Sequence, residues 1–156
     1  MKKTKDVVAG LGEIGMPILK IISKANNTVG YDVNPKLIDK KNFEKLRYMK
    51  TSFLHICIPF TNKFMPNVKS LFKKFQPQAI VIHSTIEPST TKKLQSILPI
   101  PVIYSATRGV HKRMISDLKK YTDLLQWTYQ EAYTNESLGL TKELFSKEIF
   151  NTPDTQ

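Results

Sequence analysis

The sequence predicts a doubly wound α/β domain built on a mostly parallel sheet. Three observations carry that expectation. Short apolar runs alternate with longer segments of helical spacing from residue 6 to residue 106. Two of those runs, SFLHICIP and QAIVIHST, are apolar without alternation, as strands covered on both faces read. Glycines at 10, 12 and 15 fall where a first strand gives way to a first helix.

The elements follow in order. Asp6–Ala9 is a first strand ending at the glycines, and Met16, Ile18, Leu19, Ile21 and Ile22 supply the apolar face of a first helix. Asn26 and Asn27 end that helix, and TVGYDV forms a second strand over 28–33. Pro35 suits a first helical turn with Asn34 as its cap, opening a lysine-rich helix that runs to about Tyr48. SFLHICIP is the third strand. A helix over Met65–Phe75 follows, with Val68, Leu71, Phe72 and Phe75 on one face. QAIVIHST is the fourth strand, Pro88–Ile97 a helix opened by Ser89 and Thr90, and PVIYSA the fifth strand. Glu131–Leu138 has helical spacing, Gly139 suits a helix stop, and LTKELFS reads as a sixth strand. No low-complexity linker or internal repeat interrupts this alternation, so residues 1–156 read as one domain.

Composition narrows the class. Hydrophobic residues at 40% and aromatics at 10% suit a chain that buries a core without metals or disulfides. The single cysteine, Cys57, excludes an intramolecular disulfide and fits a cytoplasmic setting. Lys2, Lys3 and Lys5 precede an apolar stretch, but Asp6, Glu13 and Pro17 break the pattern of a secretory signal. No apolar run reaches the roughly 18 residues of a membrane span. The formal charge is +11, from 24 Lys plus Arg against 13 Asp plus Glu. The lysines are scattered through KKTK, DKKNFEKLRYMK, FKKF, TKKL and DLKKY without interleaved aromatics. That distribution reads as a solvated basic surface rather than a nucleic-acid site.

The glycine loop has the context that a bare GxGxxG lacks. It follows a strand, opens a helix and sits in a unit of about thirty residues. Gly10 suits a tight turn, Gly12 lets the backbone approach a pyrophosphate, and Gly15 lets the helix pack close to the strands. Asp32, 22 residues past Gly10, stands where a carboxylate accepts ribose hydroxyls and repels a 2′-phosphate. The expectation is a Rossmann-like NAD(P)-binding fold that prefers NAD, with Lys36, Lys40 and Lys41 slightly weakening that preference.

Several ordered stretches together resemble the N-terminal NAD-binding domain of the UDP-glucose/GDP-mannose dehydrogenases. VAGLGEIGMP resembles that family's opening loop, including a proline placed like Pro17. HICIPFT resembles its third strand and the turn after it, aligning Pro59 and Thr61, and HSTIEPSTT resembles the segment where a Ser-Thr pair ends a strand. YSATR stands where the family carries Ser-Pro-Glu, and SLGLTKELFS with NTPDTQ resembles the last strand and the start of the linking helix. The resemblance implies a domain that binds NAD(H). Its further partner would be a sugar nucleotide or a separate catalytic chain. The reaction implied is a two-step oxidation of a sugar C6 alcohol to a carboxylate through a cysteine thioester. It places the cofactor against Gly10, Gly12, Glu13, Ile14, Gly15, Asp32, Val33, Pro59, Thr61, Ser84 and Thr85, with Thr85 beside the nicotinamide as the one catalytic candidate.

The departures from the family matter as much. Its thioester cysteine belongs to a C-terminal half that this sequence does not contain. Cys57 lies inside an apolar strand, where its thiol stays protonated and inert. Ala106 and Thr107 replace the Pro-Glu pair, removing the carboxylate that manages the catalytic water, and the short segment between the second and third strands removes part of the adenosine-side wall. Unaided turnover is therefore not expected, and a non-catalytic nucleotide-binding or regulatory module is the alternative. His55 and His83 read as core or strand-end residues. His111, Arg108, Lys112 and Arg113 form a basic loop. Metal-ligand spacing is absent.

Overall fold

The structure, a computed structural model, describes residues 4–105. Five strands form one parallel sheet: β1 (Thr4–Ala9), β2 (Thr28–Tyr31), β3 (Lys50–Ile56), β4 (Ala79–Ile82) and β5 (Val102–Tyr104). Four helices alternate with them: α1 (Gly15–Ile22), α2 (Lys40–Leu46), α3 (Phe64–Phe75) and α4 (Thr90–Ile97). The expected helix at 131–138, the stop at Gly139 and the strand at 140–146 lie outside the described residues. So do Ala106, Thr107, Arg108, His111, Lys112 and Arg113.

Strand order is β2-β1-β3-β4-β5. The chain steps outward from β1 to β2, then returns past β1 to lay down β3, β4 and β5. The direction of winding thus reverses between β1 and β3, the switch point where open α/β sheets leave a crevice at their carboxyl ends. Relative to the dinucleotide order 3-2-1-4-5-6, no strand flanks β2 on its outer side among the described residues. The short connection between β2 and β3 agrees with this, being just long enough for one 3₁₀ turn (Pro35–Leu37) and α2.

Side chains alternate across the sheet and make two layers. Val7, Ala9, Leu54, Ile56, Ile80, Ile82 and Val102 face α2, α3 and α4, which contribute Leu46, Phe64, Val68, Leu71 and Leu94. On the opposite face Val8 packs with Leu11 and Ile18 of the α1 unit. Phe53, Leu54, Ile56, Phe64, Ile80, Ile82 and Leu94 are fully buried, and this apolar area supplies the main driving force for folding.

Several local expectations need correction. β2 ends at Tyr31, two residues early, because Asp32 leaves the ladder to bond the glycine loop. Asn34 does cap the proline turn, accepting from Lys36 N–H at 3.1 Å, but that turn closes at Leu37. A separate cap, Asp39, then starts α2 by accepting from Asn42 N–H. α4 begins at Thr90 rather than Pro88. Ser89 stands before it in the left-handed region, φ 72°, and gives no side-chain cap. α3 spans Phe64–Phe75 with the expected apolar face.

One irregularity in the sheet has a specific cause. Lys5 pairs with Thr51 but Val7 pairs with Leu54, so β3 carries one extra residue opposite Asp6. Asp6, only 4% exposed, turns its carboxylate into the gap. It accepts from Phe53 N–H at 3.3 Å and from Asn26 Nδ2 at 3.0 Å. Replacing Asp6 with Ala removes a charged acceptor from a buried N–H, so we expect a loss of about 2 kcal/mol in urea unfolding. Asp6→Asn, which keeps one carbonyl oxygen, should lose less than Asp6→Ala.

Candidate functional site

Because every strand is parallel, the segments following β1, β2, β3 and β4 emerge at one edge. These hold the glycine loop, Asp32, Pro59 with Thr61, and Ser84 with Thr85. All eleven residues expected to line a cofactor therefore belong to one edge of the sheet, at and beside the switch point.

The glycines divide by what a side chain would meet. Gly10 has φ +93°, and a Cβ there would lie 2.6 Å from the Cys57 carbonyl oxygen. Gly15 opens α1 so close to the β1 turn that its Cβ would fall 1.6 Å from the Gly10 oxygen. Both are glycine because the backbone leaves no room. Gly12 differs: it is exposed, its φ lies outside the left-handed region, and nothing stands within 4 Å of its would-be Cβ. The fold itself gives Gly12 no reason to lack a side chain.

Asp32 ties the loop to the end of β2. One carboxylate oxygen accepts from Leu11 N–H at 2.8 Å, the other from Asn34 N–H at 2.8 Å. The neighbouring backbone bond, Gly10 N–H to Tyr31 O at 2.9 Å, continues the β1–β2 ladder into the loop. Sequence spacing placed Asp32 near the loop; the direct bond from its amide could not be read from spacing. α1 then begins with Ile14 as a cap position that offers no side-chain hydrogen bond, and no acidic residue stands in its first turn. Neither the cap residue nor the first turn thus places a side-chain acceptor at the positive end of that helix.

The remaining expected residues fall into two groups. Glu13, Val33, Pro59, Thr61 and Thr85 are exposed, Val33 at 93%, while Ile14 is half-buried. Thr61 accepts from Lys63 N–H at 3.2 Å and so shapes the start of α3. Ser84 is buried, and its hydroxyl donates to Ile58 O at 2.5 Å, latching the end of β4 to the β3 loop. Of the Ser-Thr pair, Thr85 is the one open to solvent.

Beneath the loop lies a row of polar side chains. The ladder runs one residue beyond the strands through Cys57 N–H to Ala9 O, His83 N–H to Ile56 O, and Ser105 N–H to Ile82 O. This sets Gly10, Cys57, His83 and Ser105 side by side across four strands. Cys57 lies one residue past the end of β3 and is half-buried rather than inside the strand as expected, yet burial still pushes its thiol up, so it is protonated. His55 Nδ1 and His83 Nε2 lie 2.9 Å apart with their rings stacked at 5.2 Å, sharing one proton between two neutral imidazoles. Among the described residues, the buried Ser105 hydroxyl has no hydrogen-bond partner. No cluster of three metal-ligating side chains is present among the described residues.

Comparisons of the chain with protein-family models, curated proteins and solved structures gave no match. Among the described residues, no helix is long and apolar enough to cross a membrane.

Two predictions follow from this geometry. Gly15→Ala should destabilise by about 3 kcal/mol or more, since backbone must move, whereas Gly12→Ala should stay within about 0.5 kcal/mol; thermal unfolding compares them. The second concerns the histidine pair. Burial lowers both imidazoles, His83 from 6.5 to about 4, against a partly opposing hydrogen bond to the Ser105 backbone. The unfolded chain therefore binds more protons than the native one between those values. Stability is complete above pH 6.5 and falls as pH drops toward 4, by on the order of 3 kcal/mol for His83. His83→Leu should flatten that part of the pH–stability curve.

Proposed function

We propose that the carboxyl edge of this sheet binds NAD(H), with the pyrophosphate at the glycine loop and the adenosine ribose at Asp32. The observation that carries the proposal is Gly12. It is exposed, has nothing within 4 Å of its would-be Cβ, and is flanked by two glycines that the fold does require, so the missing side chain makes room for something from outside. The uncapped start of α1 supplies N–H groups and the positive end of a helix dipole to a phosphate.

The Asp32 contacts support the ribose assignment. Each carboxylate oxygen spends one lone pair on a backbone N–H, which fixes the group and leaves a second lone pair for a ribose hydroxyl. A fixed carboxylate also disfavours the 2′-phosphate of NADP. Among the described residues nothing flanks β2 on its outer side to wall the adenine, so in this proposal the phosphate and ribose contacts carry most of the affinity.

NAD, when bound, supplies a hydride acceptor. The resemblance to UDP-glucose/GDP-mannose dehydrogenases extends the proposal to the dinucleotide-binding part of such an oxidoreductase, with Thr85 near the nicotinamide and a second chain or domain needed to complete the oxidation. A non-catalytic nucleotide-binding module is the second reading, and the site's own chemistry favours it. Cys57 is protonated, His55 and His83 bond each other, and Ser84 is latched to Ile58. None of them is free to act as an activated nucleophile or base.

Calorimetric titration with NAD, NADH and NADP tests the proposal. Binding of NAD should exceed that of NADP, and Gly12→Val should weaken NAD by about tenfold or more without moving the unfolding midpoint. No binding at millimolar cofactor, or equal binding by Gly12→Val, overturns it. Mixing with a chain that supplies a nucleophilic cysteine separates the two readings: sugar-nucleotide oxidation on mixing rejects the non-catalytic module.

A further inference from the structure

At the opposite edge of the sheet, about 20 Å from the glycine loop by the length of β1, lies a cavity of about 450 Å³. It sits where β1 and β3 begin and α2 and α3 end, and ligand sites of small molecules commonly have this volume. Four cationic side chains line it, Lys5, Arg47, Lys50 and Lys74, and no carboxylate does. Phe43 and Phe75 give it an aromatic wall, their rings 6.4 Å apart edge to face, and Thr51, Gln76 and Gln78 add polar groups.

Helix ends explain part of this charge but not all of it. Lys5, 7% exposed, donates to Leu46 O at 2.9 Å and Arg47 O at 3.1 Å, which satisfies the last carbonyls of α2. Arg47 pairs with Glu44 at 2.9 Å and stacks on Tyr48. Lys50 has no such account, whereas Lys74 stands with Lys73 in the last turn of α3. Neither meets a carboxylate among the described residues, and Lys74 rests over Tyr31 and Phe75 with its ammonium 4.9 and 5.8 Å from the ring centres. Lys5, meanwhile, keeps its charge in a desolvated place with only neutral oxygens as partners. Burial lowers its affinity for the proton, and an anion in the cavity would reverse that cost.

We propose that this cavity is a second ligand site, separate from the glycine loop, for a small organic phosphate: a phosphate monoester carrying a flat apolar group. A dianion meets the surplus cations from more than one side, as one phosphoryl group offers several acceptor oxygens. The flat group lies on Phe43 and Phe75, where its burial adds affinity that inorganic phosphate lacks. Because the α2 carbonyls are already taken by Lys5, they do not oppose the anion. The site does not depend on the NAD reading.

The test is an amide NMR titration of the full chain with phenyl phosphate, inorganic phosphate and benzoate. Phenyl phosphate should shift Thr51, Gln76 and Gln78 while leaving Gly10, Gly12 and Gly15 unmoved, with inorganic phosphate and benzoate weaker. Lys50 and Lys74 are exposed, so the double variant Lys50→Gln, Lys74→Gln keeps the fold and should weaken phenyl phosphate by about tenfold or more. No shift at the cavity with about 10 mM phenyl phosphate overturns the proposal. Equal binding by the double variant also overturns it, and benzoate binding as tightly as phenyl phosphate rejects the phosphate class.

Discussion

The contact on which this fold turns is between the β1–α1 loop and the end of β3. β1 is the centre of winding, with β2 on one side and β3 on the other, so the chain must leave it in a space closed on both flanks. Gly10 meets that demand with a left-handed turn against the Cys57 carbonyl, and Gly15 brings α1 back over the Gly10 oxygen. A side chain at either position would push α1 off the sheet and with it Ile18, which covers Val8. The same two glycines set the loop at the switch point, where it faces solvent. Steric necessity in the core and openness at the surface thus come from one turn, and Gly12, between them, belongs to the surface alone.

Two aspartates hold this frame by a shared device. Each sends both carboxylate oxygens to N–H groups. Asp6 fills the gap left by the extra residue of β3, and Asp32 binds the loop to the end of β2. A charge-assisted bond to an amide is directional, which an exposed ion pair with a flexible lysine is not, so these carboxylates position backbone as well as stabilise it.

The strands and helices over residues 4–105 were legible because burial on both faces writes continuous apolar runs, and because strand–helix alternation leaves few topologies. The glycine loop was legible for a different reason: at Gly10 and Gly15 glycine records where a Cβ cannot go. What spacing could not give was partnership. Asp6 sits in DVVA as the odd residue of a buried strand, a signal of a buried polar function, but not of a bulge in β3. Lys5 reads as one more surface lysine, although its ammonium is folded onto α2. The stacking of His55 on His83 needed the β3–β4 register, since the two are 28 residues apart. Local capping chemistry also misled at Ser89, a good cap by residue type whose backbone here turns left-handed before α4.

The helix ends show how charge divides between the two edges. None of the four helices carries an acidic residue in its first turn, while α1, α2 and α3 carry lysine in the last. Among the four cap residues, Asp39 of α2 is the one that offers a carboxylate. The negative ends of those three helices are thus compensated within the chain and most of the positive ends are not. At the carboxyl edge that imbalance adds to the free space over Gly12, and at the amino edge Lys50 lies beside the last-turn lysines without a helix end of its own. An asymmetry of this kind does little for folding, since surface charges near helix termini contribute only fractions of a kcal/mol each. On the two proposals above, these edges are where an anion would meet part of the +11 charge.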